Sequence, residues 1–324
     1  MPRQARLDSP GTLHHVMIRG IEGRQVVDDE QDRSDFVRRL GELAVASGTP
    51  IYAWALMSNH AHVLLSSGAL GLGPFMRRFL TGYAVNYNLR HRRYGHLFQN
   101  RYKSIVCDGD SYFTELVRYI HLNPLRGNLV TDLKALESYP YCGHGAIPGK
   151  LSYDWQERDS VLAQFGSREV QAREAYRRFV EEGIALGRRP ELVGGGLIRS
   201  AGGWAEVRSQ RRRREPQQSD ERILGSGEFV ERVLAEAEAR VQRQHAARRQ
   251  RGRIERVIVL ACMKSGASLT ELRSGSRRGK LPTIRAALVS KLVEDFGVAI
   301  AEVARQVGIS TSGVSKILTR RLSS

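Results

Sequence analysis

Cysteine is scarce in this chain of 324 residues. The three present, Cys107, Cys142 and Cys262, lie far apart with no CxxC pair, which excludes a disulfide scaffold and a zinc knuckle. Long hydrophobic runs are missing too. No apolar stretch approaches the roughly 20 residues that cross a bilayer, so no membrane partner is expected. The opening MPRQARLDSPG has no apolar core and does not read as a secretory signal, so the expected location is the cytoplasm. Acidic residues are in short supply: 34 Asp+Glu face 51 Lys+Arg, a formal net charge of +17. That excess points to a polyanionic partner, nucleic acid first, and so to a nucleoid-associated protein. Aromatics make up only 7%, yet the 41% hydrophobic content is enough for a core and excludes wholesale disorder.

The apolar residues present follow two alternating periods up to about Pro124. Thr12 to Arg19 reads as a strand. Phe36, Leu40, Leu43 and Ala44 give Asp32 to Ala46 a helical spacing, with Gly48 placed as its C-cap. Ile51 to Met57 and His60 to Leu65 read as two strands joined at Ser58-Asn59. Gly71 to Arg93 is helical, Leu97 to Cys107 a fourth strand, and Asp110 to Leu122 a third helix that Pro124 is expected to end. The order β-α-β-β-α-β predicts a ferredoxin-like, split βαβ domain with an antiparallel sheet over residues 1–150. A helical extension packed on it is expected over 151–186. A basic Gly/Arg-rich linker and charged helix follow over 187–253, with Gly194 to Gly196 and Arg211 to Arg214 as the clearest signals. Residues 254–324 read as an all-α domain. The fold class is therefore α+β.

On a strand, alternate side chains share a face, so His60 and His62 emerge together and can chelate one divalent metal. Ala61, Val63 and Leu65 face the opposite way. An HxH pair also arises easily by chance. On the third helix, Phe113, Leu116, Val117 and Ile120 form the packing stripe, and Tyr119 with Asn123 are i, i+4 neighbours on its flank. Tyr119 is open to two readings, a packing tyrosine with its hydroxyl in water or a nucleophile with the Asn123 amide as a metal ligand; periodicity does not choose between them.

WALMSNHAHVLL (Trp54 to Leu65), LFQNRYKSIVCD (Leu97 to Asp108) and RYIHLNPLRGNLV (Arg118 to Val130) resemble the three signature blocks of single-tyrosine HUH-type transposases. These act on single-stranded DNA, and the resemblance is strongest to their REP-associated branch. With the opening GTLHHVMIRG it covers the first 130–150 residues. The resemblance implies that His60 and His62 are the HUH metal pair, Tyr119 the catalytic tyrosine and Asn123 the third ligand. The implied metal is Mg²⁺ or Mn²⁺. The implied reaction is cleavage and rejoining of single-stranded or hairpin DNA through a 5′-phosphotyrosine, a metal-dependent nickase-ligase chemistry. Members of the family work as dimers or, in the REP-associated branch, as monomers, so a homodimer is one expectation.

Arg101, Tyr102 and Lys103 combine charge with an aromatic ring before the third helix, and Arg77 and Arg78 add charge on the second, where Arg90, Arg92 and Arg93 follow. Such groups suit a path for single-stranded DNA, or simply a solvated surface. Near the C-terminus, Ala299 to Arg320 has helix-turn-helix spacing. Val303, Ala304, Val314, Ile317 and Leu318 are the expected anchors, and Gly308 sits at the turn. Ser310, Thr311, Ser312, Ser315 and Lys316 are then expected to face duplex DNA. The charge of residues 264–321, 11 basic against 4 acidic, favours that partner. A second reading of the whole chain is a sequence-specific DNA-binding regulator whose HUH domain does not cleave.

Overall fold

The computed structural model describes residues 7–99, 102–187, 189–192 and 220–322, and for residues 190, 240–251, 294, 321 and 322 the backbone alone. The chain forms two compact units, one up to Ala237 and one from Glu238 to Ser324. In the first, a sheet of five strands has the order β2-β3-β1-β4-β5. The strands are β1 (Leu13–Arg19), β2 (Ile51–Leu56), β3 (His60–Ser66), β4 (Lys103–Cys107) and β5 (Ile223–Leu224). Pairing is antiparallel except for β5, which runs parallel to β4. The first four strands thus take the split βαβ order that the alternating periods predict.

Two helices, α1 (Glu30–Ser47) and α2 (Leu72–Arg90), cover one face of the sheet. Their Phe36, Leu40, Phe75, Phe79 and Tyr83 meet Val16, Ile18, Ala61, Val63 and Leu65. Asp29 caps the start of α1 by accepting the Asp32 N–H, and Gly48 closes it in the left-handed region, at φ 57°. The opposite face carries α3 (Gly109–His121) and α4 (Asn123–Arg126), followed by α5 (Leu133–Glu137), α6 (Arg158–Leu162) and α7 (Glu169–Glu182). Leu116, Val117 and Ile120 of α3 pack there against Ala53, Ala55, Leu64 and Ile105, with Tyr176 and Val180 of α7 behind them.

Three local expectations are modified. The fourth strand begins only at Lys103; upstream, Phe98 makes an isolated bridge to Gly20. Pro124 does not stop the helical path. Leu122 keeps right-handed helical angles, and Pro124 sits in the first turn of α4, where a missing N–H leaves no bond unmade. Finally, part of the stretch read as linker and charged helix joins the first unit. Ile223 and Val230 are buried against Val106 and Leu7, and Leu224 joins the cluster of Ile105 and Cys107. A strand of two residues is too short to show any alternation in a sequence. Arg211 to Arg214 and the glycine clusters lie outside the described residues.

In the second unit, Ile254, Ile258 and Cys262, from the end of α8 (Gly227–Ser265), pack with α9 (Leu269–Arg273), α10 (Leu281–Ser290), α11 (Ile300–Val307) and α12 (Thr311–Leu322). Val303, Ala304 and Val314 are buried, and Ile317 and Leu318 pack beside them. The α11–α12 junction demands glycine twice over. Gly308 has φ 69°, and a Cβ there would lie 2.2 Å from the carbonyl oxygen of Arg273. The buried Arg285 guanidinium ties the unit together by donating to the carbonyls of Val307, Ser276 and Leu272. Among the described residues, no helix is long and apolar enough to cross a membrane.

Candidate active site

Antiparallel pairing sets His62 opposite Met17 and His60 opposite Arg19. Alternation then turns both histidines toward α3, while Ala61, Val63 and Leu65 fill the core beneath α1 and α2. The His60 and His62 ring centroids are 5.2 Å apart, and His62 lies 5.8 Å from the ring of Tyr119. The sheet and α3 therefore bring the HxH pair and the tyrosine together across one packed interface.

Each histidine commits one ring nitrogen. His60 Nδ1 is 2.6 Å from the Asn59 side-chain oxygen, and His62 Nδ1 is 2.9 Å from Nε2 of His15. Burial pushes His62 well below the ordinary imidazole range, and the nearby rings of His15 and His60 add to the effect. Burial, with the positive charge of Arg19, lowers His60 as well. Both rings are thus neutral at pH 7 and retain a lone pair. Asn123, one residue past the Leu122 joint, donates Nδ2–H to the carbonyls of Tyr119 at 3.0 Å and Ile120 at 3.3 Å, so its lone-pair atom is Oδ1. Two imidazole nitrogens and an amide oxygen make a donor set that fits a divalent cation.

Two residues that no motif singled out complete the surroundings. His15 is wholly buried, with its ring 5.1 Å from that of His62 and 6.0 Å from that of Tyr119. Arg126, at the end of α4, holds its guanidinium carbon 5.5 Å from the centre of the Tyr119 ring. It donates to the carbonyl of Gly183 at 3.2 Å, while its buried Nε and Nη1 have no hydrogen-bond partner. Burial lowers its pKa, and repulsion from Arg118 and Arg189 adds to this against the opposing pull of Tyr119. Both of those neighbours are ion-paired, Arg118 with Glu115 at 2.6 Å and Arg189 with Glu115 at 3.2 Å. The alternation of β1 could have marked His15 as sharing a face with Met17 and Arg19. Only the pairing of β1 with β3, however, makes it a neighbour of His62.

The cationic residues separate by layer. Lys103 pairs with Met17, which pairs with His62, so all three stand in one cross-strand row on the α3 face. Tyr102, one residue earlier, points the other way and is buried in the core beneath α2. Arg77 and Arg78 are exposed on α2, on the face away from Tyr119; Arg77 lines a cleft of about 780 Å³ with Phe98 and Tyr102. Arg90 is committed to Asp29 and Asp32. Asp32 also belongs, with Asp28 and His91, to the one grouping of three His, Cys or carboxylate ligand atoms among the described residues. Arg101 lies outside the described residues. In the second unit, Ser310, Thr311, Ser312, Ser315 and Lys316 are all exposed; the Ser310 hydroxyl caps α12 by accepting the Gly313 N–H at 3.1 Å.

Compared with known proteins, residues 10–123 match the family model described as "Transposase IS200 like". No curated protein matches the chain. Among solved structures it is similar to one described as "Structure of the REP associates tyrosine transposase bound to a REP hairpin". That similarity has 14% identity and a TM-score of 0.39, and covers 48% of this chain and 91% of the other. The IS200-like match holds His15, His60, His62 and Tyr119, and ends at Asn123. Arg126, Gly183 and Leu192, which pack behind the site, come from chain beyond it.

Proposed function

We propose that the chain is a transposase that cleaves and rejoins single-stranded DNA at hairpins, with Tyr119 as nucleophile and His60, His62 and Asn123 holding a Mg²⁺ or Mn²⁺ ion. The observation that carries this reading is the cluster of the His60, His62 and Tyr119 rings, with Asn123 one turn after the tyrosine, inside a region matched to the IS200-like family. Tyr119 Oη attacks phosphorus, forming a 5′-phosphotyrosine and releasing a 3′-hydroxyl. A bound ion there supplies polarisation of a non-bridging phosphate oxygen and orients the scissile group. Phosphoryl transfer needs positioning and charge neutralisation more than further reacting groups. Arg126 beside the tyrosine and Lys103 in the row of His62 provide positive charge for the strand. A 3′-hydroxyl attacking the phosphotyrosine rejoins the strand without ATP, because the phosphodiester bond is conserved in the covalent link.

In the second unit, α12 presents Ser310, Thr311, Ser312, Ser315 and Lys316 to duplex DNA as a recognition helix. The exposed Lys316 and Arg320 and a glycine-fixed turn support this helix-turn-helix role.

The test uses hairpin oligonucleotides from the flanks of the gene, labelled at either end, with Mg²⁺ or Mn²⁺. The wild type should give a slow-migrating covalent adduct on a denaturing gel, carrying the 3′ label. Tyr119→Phe, which keeps the packing ring, should bind the hairpin and give no adduct. Binding without adduct by the wild type, across all flanking hairpins, would favour the non-cleaving regulator instead.

A further inference from the structure

His15 engages both nitrogens of its ring. Nδ1 lies 3.3 Å from the carbonyl oxygen of Leu192, and Nε2 lies 2.9 Å from Nδ1 of His62. A carbonyl oxygen can only accept, so the bond to Leu192 places a proton on His15 Nδ1. The neutral ring then has its lone pair on Nε2. The bond to His62 accordingly needs the proton of His62 on Nδ1, which leaves His62 a single lone pair, on Nε2. Every member of this relay is sequestered: Leu192 is 1% exposed, His15 0% and His62 6%. Water therefore does not compete for these bonds, and their directions are fixed together.

We propose that His15 is a positioning residue for the metal centre, locking His62 in the Nδ1–H tautomer and so presenting its Nε2 as the ligand atom. The metal part rests on the reading that His60, His62 and Asn123 hold a divalent ion; the control of the His62 ring by His15 does not. Ligand histidines commonly donate their second N–H to a carboxylate or a carbonyl. Here a second imidazole stands between the ligand and the carbonyl. A carboxylate in its place would bring an extra negative charge into a site 0% open to water at that position. The relay also ties the site to chain far past residue 123. The carbonyl that sets the tautomer belongs to the short helical turn Pro190–Leu192, and Leu192 is anchored in the core beneath α3 and α7.

The nine histidines of the full chain are few enough for selective ¹⁵N labelling and long-range proton–nitrogen correlation in the absence of metal. In the wild type, His62 should show a single tautomer protonated at Nδ1. In His15→Phe the preference should be lost, and in His15→Gln, whose amide both donates and accepts, it should return. Mn²⁺ affinity, followed by the electron spin resonance of the free ion, should fall about ten- to a hundredfold in His15→Phe and recover in His15→Gln. Circular dichroism on each variant reports folding. A wild-type His62 protonated at Nε2 would overturn the proposal, and this reading needs no variant to fold. A folded His15→Phe with unchanged tautomer and Mn²⁺ affinity would overturn it equally. A wild type with the expected tautomer that takes up no Mn²⁺ would sink the metal reading and leave the role of His15 in setting the ring supported.

Discussion

Arg126 carries a charge into a place where two of its nitrogens reach neither water nor a partner. Isolated charges of this kind oppose folding, because desolvation is not offset by an ion pair. The neighbouring arginines both have Glu115, so of these three described arginines Arg126 is the one without a carboxylate, and its charge faces the tyrosine. Stability and activity should accordingly part company here. Arg126→Met keeps the bulk over the ring and removes the charge. Its unfolding midpoint is expected to match or exceed that of the wild type, while covalent adduct forms at least about tenfold more slowly at saturating DNA, as for loss of a transition-state charge contact. A variant that loses midpoint and keeps its rate would assign Arg126 to packing alone. At this scale, what the sequence made legible is what local spacing can carry. His60 and His62 share a strand face, and Tyr119 and Asn123 share a helix turn. His15 and Arg126 escaped notice because their roles come from partners on other elements: β3 for the first, the Gly183 turn after α7 for the second.

Between elements, α3 is held from behind by buried polar contacts. The Tyr176 hydroxyl of α7 lies 2.7 Å from His121 Nδ1 and 2.8 Å from His144 Nδ1, all three side chains being buried. Arg118 adds a guanidinium stacked 4.0 Å from the Phe179 ring. Tyr176→Phe leaves two buried imidazole nitrogens without their partner, and an unmet buried polar group costs about 1–3 kcal/mol. Chemical denaturation should therefore show a loss of about 2–3 kcal/mol, with Tyr119 displaced enough to slow adduct formation. An unchanged midpoint would mean that water enters and replaces the hydroxyl. The four antiparallel strands and the helices between them could be anticipated, since each is long enough to display its period. The hold of α7 on α3 could not, because Tyr176, His121 and His144 are separated in sequence and none belongs to a periodic pattern with the others. β5 escaped for a related reason, its two buried residues sitting next to a stretch dominated by arginine.

Across the whole molecule, the net charge of +17 is shared between the two units, residues 264–321 carrying 11 basic against 4 acidic residues. The first unit concentrates its informative groups around one tyrosine. The second has no comparable cluster of chemical groups in its described part, only a small core, the Arg285 tie and an exposed helix face with Lys316. If the second unit grips duplex DNA through α12, its contribution is largely release of counterions from phosphates, and each lost contact flattens the salt dependence by about 0.9 in the slope of log K against log salt. Lys316→Ala should thus weaken binding of the full-length protein to duplex DNA at low salt and lower that slope by about one contact. The rate of adduct formation on a short single-stranded hairpin, which offers the second unit no duplex of its own, should stay at the wild-type value. Parallel losses in both assays would mean that the two units share one strand of DNA. An unchanged duplex slope would remove α12 from the interface and return its charge to the solvent.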